Sequence, residues 1–242
     1  MEPVLAVKDL QVAFSDDKGR SISVDRISFQ VNPGEVVCLV GESGCGKSVT
    51  SLAVMGLLGR GGRASGSVRF LGKELLGLPE KKLDQIRGNS LAMIFQDPLS
   101  ALNPVFPIGK QIMESMEAHT DLGRRERQER AAELLNKVGL GDISSIMEKY
   151  PHQLSGGQRP RGMVAMGLAC GPKLLLGGEP STALDVTIQA QIMELLLKLR
   201  EETGMALLLI THDMGVVAQM ADRVLVMYAG QIIEQAPVFD LF

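Results

Sequence analysis

The chain has 242 residues, 45% of them hydrophobic and 22% charged, with a formal net charge of −3. That length and apolar content allow one large core or a core with a subdomain, and the slight acidity gives no overall basic footprint for nucleic acid. No apolar run reaches the ~18–20 residues of a membrane span, the opening "MEPVLAVKDL" lacks a secretion signal's basic flank and long apolar stretch, and Cys38, Cys45 and Cys170 form no Cys-x-x-Cys pair, which fits a reducing cytoplasm better than a disulfide framework or a zinc site.

"VLAVKDLQVAF" and "SISVDRISFQV" alternate apolar and polar residues around the turn-forming "SDDKG", which predicts two strands. "NPGE" turns the chain into "VVCLV" at 36–40, an apolar run of the kind buried on both faces of a sheet. Glycines between 56 and 66 predict a loop before the strand "GSVRFLG", and "LAMIF" at 91–95 predicts another strand. Residues 108–149 carry helix patterning. Ala131, Leu134, Leu135 and Val138 share a face there, and Gly139 suits a C-terminal cap. The mixed-charge "RRERQER" at 124–130 reads as a solvated helix face.

"KLLL" after Pro172 is a predicted strand, and 187–202 a helix with Ile188, Ile192, Leu195, Leu196 and Leu199 on one stripe and Gly204 just beyond. "ALLLI" at 206–210 is a strand, 213–220 a short helix, and "RVLVMY" and "QIIEQ" closing strands. Strands alternating with helices predict an α/β fold with a largely parallel sheet covered on both faces. The helical stretch at roughly 97–165 interrupts that alternation as an inserted subdomain within one domain spanning 1–242.

"GESGCGKS" at 41–48 is the P-loop pattern, following a predicted strand and opening a predicted helix. Its glycines let backbone N–H groups close around phosphate oxygens, and the helix start adds a positive end. Lys47 would reach the β- and γ-phosphates, and Ser48 would coordinate Mg²⁺. Three further apolar runs end near polar residues suited to phosphate chemistry: "LAMIF" before Gln96, "KLLL" shortly before Glu179, and "ALLLIT" before His212. In open α/β sheets, ligands gather beyond the carboxyl ends of the strands. Singly, Gln96 also reads as a turn residue and His212 as structural. In "LSGGQ", Ser155 and Gln158 have capping-box spacing, so Ser155 should start a helix. Gly156 and Gly157 would expose that helix's amides to an anion, or form a glycine-rich cap with no ligand.

With these motifs in this order, the chain resembles the ATPase subunit of ABC transporters over essentially its whole length. "FQDPLSALNP" and "YPHQLSGGQ" look more narrowly like the peptide and nickel importer ATPases. The resemblance implies a P-loop NTPase (RecA-like) core with a mainly parallel sheet, an N-terminal antiparallel β subdomain and the inserted helical subdomain. It implies ATP and Mg²⁺ as cofactors, trapped between two ATPase domains paired head to tail, as a homodimer or a heterodimer. Phe14 would stack on adenine, although it suits a core position equally. Gly41, Glu42, Ser43, Gly44, Cys45, Gly46 and Lys47 would hold the phosphates, with Ser48 and Gln96 on Mg²⁺. Glu179 would polarise the attacking water and His212 steady the γ-phosphate. Ser155, Gly156, Gly157 and Gln158 would complete the partner's site, with Asp185 at the seam. Positioning and charge stabilisation of this kind do most of the work in phosphoryl transfer.

The implied assembly adds two membrane permease subunits and an extracytoplasmic substrate-binding protein, with no nucleic acid. The chain would sit peripherally on the cytoplasmic face of the cell (inner) membrane and couple ATP hydrolysis to peptide uptake, with nickel as the alternative cargo. Soluble ABC ATPases of DNA repair or translation tend to carry coiled-coil inserts or two tandem cassettes, neither of which the sequence contains. "PVFDLF" stops where the peptide-importer ATPases generally continue into a segment often bearing iron–sulfur cysteines, so no cluster is expected.

One region departs from the family. Its Mg²⁺-side aspartate would occupy position 178, which is glycine here. A unit charge pair at 4 Å is worth about 4 kcal/mol at an effective dielectric near 20, before desolvation, so metal placement and hydrolysis should weaken. Pro160, Gly162, Gly167 and Gly177 also stand where the family has glutamine, valine or isoleucine, and alanine. Counted from Ser155, Pro160 falls beyond the first turn, and with two glycines should weaken that helix by roughly 5 kcal/mol. Relaxed selection, an error in the recorded sequence, and a subunit that binds ATP while its companion hydrolyses it all fit this cluster.

Overall fold

The computed structural model describes residues 2–16, 19–95, 97–178 and 186–241. The chain forms β1 (Leu5–Asp16), β2 (Gly19–Val31), β3 (Val36–Gly41), α1 (Lys47–Val54), β4 (Gly62–Phe70), β5 (Lys73–Glu74) and α2 (Glu80–Asp84). It continues as β6 (Leu91–Ile94), α3 (Pro98–Ala101), α4 (Ile108–His119), α5 (Arg124–Lys137) and α6 (Ile143–Glu148). A 3₁₀ turn at Pro151–Gln153 leads into α7 (Gln158–Gly167), β7 (Leu174–Gly178) and α8 (Val186–Thr203). Last come β8 (Ala206–Ile210), α9 (Met214–Met220), β9 (Arg223–Tyr228), β10 (Gln231–Pro237) and α10 (Val238–Leu241). Two compact units divide these elements: Gln85–Thr203 is one, and the chain on either side of it makes the other.

In the unit made of both chain ends, β2, β1, β4 and β5 form an antiparallel sheet in that order. A second layer runs β10-β9-β3-β8, with β3 parallel to both β8 and β9 and β10 antiparallel on β9. The apolar runs of β3 and β8 are buried along their whole length, as continuous hydrophobic strands of parallel sheets are. A bidentate ion pair pins the entry to β3: Arg223 donates from Nε and Nη2 to the Glu35 carboxylate at 2.8 and 3.2 Å. Leu39 pairs with Ile210 across β3 and β8, and the Thr211 amide donates to Leu39 O. Gly41 and His212, each two residues on, therefore leave the sheet at one edge.

The glycine-rich stretch 56–66 is only partly the expected loop, because β4 already begins at Gly62. Gly66 lies inside the strand with φ +102, opposite a register shift in β1. A Cβ there would lie within 2.3 Å of Asp9 O, so the glycine lets the two backbones close over the irregularity.

In the unit Gln85–Thr203, β6 runs parallel to β7, pairing Leu91 with Leu174 and Ile94 with Gly177. Gly177 and Gly178 thus remain in strand geometry. Helices α4 to α7 supply an apolar interior that includes Ile108, Ile112, Met116, Ala131, Leu135 and Val164, each at most 1% exposed. Gln111, buried on α4, accepts from the Asn103 amide and donates to Asn103 O and Phe106 O, fixing the turn that enters the helix. The Gly123 amide donates to the Glu126 carboxylate at the start of α5. Gly139, with φ +74, follows its C-terminal cap Val138.

Regular helix in α7 is counted from Gln158, yet the Arg159 amide already donates to Ser155 O at 3.2 Å, so Ser155 stands as the expected cap and Pro160, five residues on, has no N–H for the next bond of the ladder. The helix then runs through Gly162 to Gly167.

Candidate functional site

The loop between β3 and α1 is shaped by three glycines with positive φ: Gly41 (+153), Gly44 (+82) and Gly46 (+109). A Cβ on Gly41 would lie 2.1 Å from Met227 O, and one on Gly46 would lie 2.6 Å from Ser23 O. Both positions press backbone on backbone, and no larger residue fits. At Gly44 no described residue lies within 4 Å of that point, so among the described residues the loop's outer side is open. The Gly230 amide donates to Cys45 O and fastens the loop from behind. α1 starts at Gly46 with no side-chain cap, which leaves its positive end to an external anion.

Lys47 is 4% exposed, and its Nζ donates to Gly41 O and Glu42 O at 2.8 Å each. Cys45 is buried beside it, with Sγ 3.9 Å from that nitrogen. Glu42, Ser43, Gly44 and Ser48 are exposed. The loop thus combines a buried cation, an uncapped helix start and an open backbone concavity, a combination that holds phosphate oxygens.

His212 stands on the same strand edge, exposed, between β8 and α9. Its neighbours hold it from both sides. Asp213 caps α9 by accepting from the Gly215 and Val216 amides, and the Asp213 amide donates to Thr211 Oγ1 at 3.0 Å. Sequence reading did not single out that brace. The spacing of a threonine and an aspartate just before a helix start is its signal. Phe14, half-buried on β1, pairs with Gly62, where a Cβ would lie 2.9 Å from Phe14 Cε1. The glycine makes room for the ring.

In the other unit, Ser155 and Gln158 bond reciprocally: the Gln158 amide donates to Ser155 Oγ at 3.3 Å, and the Ser155 amide donates to Gln158 Oε1 at 3.0 Å. This is the expected capping box, set just ahead of the regular helix. Gly156 is exposed with open space around it, whereas a Cβ on Gly157 would meet Ile188 at 3.6 Å. Gly178 ends β7, and among the described residues a Cβ there would meet Ile94 O and Met93 Cε, at 3.7 and 3.8 Å. Gln96, Glu179 and Asp185 lie outside the described residues.

The family model described as "ABC transporter" matches residues 24–182, across the 41–48 loop and the 155–158 turn. The chain belongs to the ABC transporter family. It is 53% identical over 240 residues to the dipeptide transport ATP-binding protein DppD of Haemophilus influenzae, covering 99% of this chain and 73% of that protein. DppD of Escherichia coli is 50% identical over 240 residues, with the same coverage. Among solved structures, the ATP-binding cassette MJ0796, in a dimeric post-hydrolysis state bound to ADP and Pi, superposes with a TM-score of 0.86 at 25% identity. That match covers 97% of this chain and 98% of MJ0796. CbiO1 of Clostridium perfringens, part of the ABC transporter complex cbiONQ, gives 0.84 at 27% identity, covering 100% and 91%. The chain is thus an ATP-binding cassette with the ATPase fold of a transport subunit. Among its described residues, no helix is long and apolar enough to cross a membrane.

Proposed function

We propose that this chain is the ATP-binding subunit of a peptide importer, acting on the cytoplasmic face of the cell membrane with a second ATPase subunit, two permeases and an extracytoplasmic binding protein. The observation that carries the nucleotide half is the 41–48 loop, where Lys47 and three positive-φ glycines surround an open anion cradle. The peptide half rests on the likeness to two dipeptide transport proteins.

In this reading the loop amides and Lys47 bind the triphosphate, and Phe14 lies under the base. The exposed Ser48 hydroxyl is a hard oxygen donor of the kind Mg²⁺ takes, and with Gln96 and phosphate oxygens it would hold that ion. Bound Mg²⁺ would neutralise phosphate charge as it develops. Glu179 orients and deprotonates the attacking water, while His212 steadies the γ-phosphate from the edge that Thr211 and Asp213 brace. Ser155 to Gln158 close the partner's site across the pair, with Asp185 at the seam.

A second reading is favoured by Gly178: a subunit that binds ATP and hydrolyses it slowly beside a more active companion. Position 178 itself supplies no carboxylate, and a Cβ there would come no closer than 3.7 Å to any described residue beyond its chain neighbours. Steady-state ATP hydrolysis by the purified chain and by Gly178→Asp separates the two. A variant faster by about tenfold, the part of a ~4 kcal/mol charge pair that survives desolvation, supports the slow reading. Equal and substantial rates defeat it.

A further inference from the structure

Arg161 joins three helices of the unit Gln85–Thr203. Its Nη1 donates to Val138 O at 2.7 Å, the C-terminal cap carbonyl of α5, and its Nη2 donates to Gln191 Oε1 on α8 at 3.0 Å. Gly139 makes this approach possible: a Cβ there would lie 2.8 Å from Nη1. The glycine therefore ends α5 and clears the guanidinium's path.

A second contact runs alongside. Gly157, inside the 155–158 turn, faces Ile188 on the first turn of α8. Positions 157 and 161 are one helical turn apart, as are 188 and 191, so the starts of α7 and α8 meet at two successive levels. α8 is the helix that the chain enters on leaving 179–185, the stretch holding Glu179 and Asp185.

We infer that Arg161 is a positioning residue. It latches the Ser155–Gln158 turn to the start of α8, so that the surface offered to a partner's nucleotide and the helix that follows Glu179 and Asp185 in the chain are set as one piece. Arg suits the task because its planar fork serves two acceptors in fixed directions, whereas a lysine reaches one at a time. The catalytic consequence rests on the proposed roles of 155–158 and Glu179. The latch itself rests on the two hydrogen bonds.

The test compares the unsubstituted chain with Arg161→Ala, Arg161→Lys, Gln191→Ala and the Ala/Ala double variant. Amide hydrogen exchange at 155–158 and 186–191 should quicken at least fivefold in Arg161→Ala and by less in Gln191→Ala, with the α1 amides unchanged. Arg161→Lys should recover part of the protection, and the double variant should match Arg161→Ala. ATP hydrolysis should lose about tenfold in kcat in Arg161→Ala, with KM for MgATP within twofold. Unchanged exchange at 155–158 in Arg161→Ala overturns the latch. So do effects of the two single substitutions that simply add, or exchange that rises equally in α1. If Arg161→Ala does not fold, Gln191→Ala decides alone, since that exposed substitution leaves the Val138 bond in place. Failure of the unsubstituted chain to bind or turn over MgATP counts against the nucleotide reading instead, and the exchange result still decides the latch.

Discussion

Lys47 Nζ lies 2.8 Å from Gly41 O, so the cation expected at the phosphates is held by the first carbonyl of its own loop. The same nitrogen donates to Glu42 O at 2.8 Å. The lysine is thus poised over the loop at little reorganisation cost. Charge-assisted hydrogen bonds are worth about 1.5–3 kcal/mol. Lys47→Ala should therefore weaken MgATP binding by about 10- to 150-fold, read by competition against a fluorescent ATP analogue. Affinity within twofold of the unsubstituted chain would show that Lys47 does not reach the nucleotide.

The glycines of α7 leave room that their backbones do not need. Neither Gly162 nor Gly167 has positive φ. A Cβ on Gly162 meets Ile108 and Leu154 at 3.7–3.9 Å, and one on Gly167 meets Ile94 and Leu175 at 3.6 Å. Alanine at each should gain about 1 kcal/mol of helix stability and raise the melting temperature by about 2–4 °C. Calorimetric melts of the two single variants check this; a fall in either would mean that the helix needs its glycines.

Much of the fold was legible because its signals are local. The apolar runs of β3 and β8, the stripe on α8 and the cap at Gly139 each follow from their own residues, and so does the 41–48 loop. The position of β4 was not, since its start is set by pairing with β1 across the sheet, Gly62 with Phe14 and Ser65 with Gln11. The cap at Ser155 was legible, because its reciprocal bonds with Gln158 are local. The Arg161 bridge was missed because its partners, 23 and 30 residues away, are identified only once the helices are assembled, whereas the Thr211–Asp213 brace is local and its spacing was there to be read.

Cys45 reports on loop occupancy. It lies between Glu42 and Lys47, and its amide donates to Glu42 O. Saturating MgATP should slow its modification by a thiol reagent, followed by mass spectrometry of the labelled peptide, while leaving the rate at Cys170 unchanged. Equal rates at Cys45 with and without MgATP would argue that the ligand does not close this loop.

Cys38 gives a pH signature. Burial in β3, with the Asp222 charge adding to it, pushes its thiol up to about 12. An unfolded thiol ionises near 9, so between about 9 and 12 the unfolded chain loses a proton that the folded chain retains. This contribution is intact below about 9, and stability should fall as pH rises above it. Chemical denaturation at pH 7.5 and 10 should show a larger loss for the unsubstituted chain than for Cys38→Ala. Parallel losses would contradict the assignment.

The most direct measurement is a calorimetric titration of the folded chain with MgATP, set against Lys47→Ala under the same conditions. The account predicts saturable heat with one nucleotide per chain, and a much weakened isotherm in the variant. A folded chain that releases no heat, or one whose isotherm is unchanged by the substitution, would contradict the claim that residues 41–48 hold a nucleoside triphosphate.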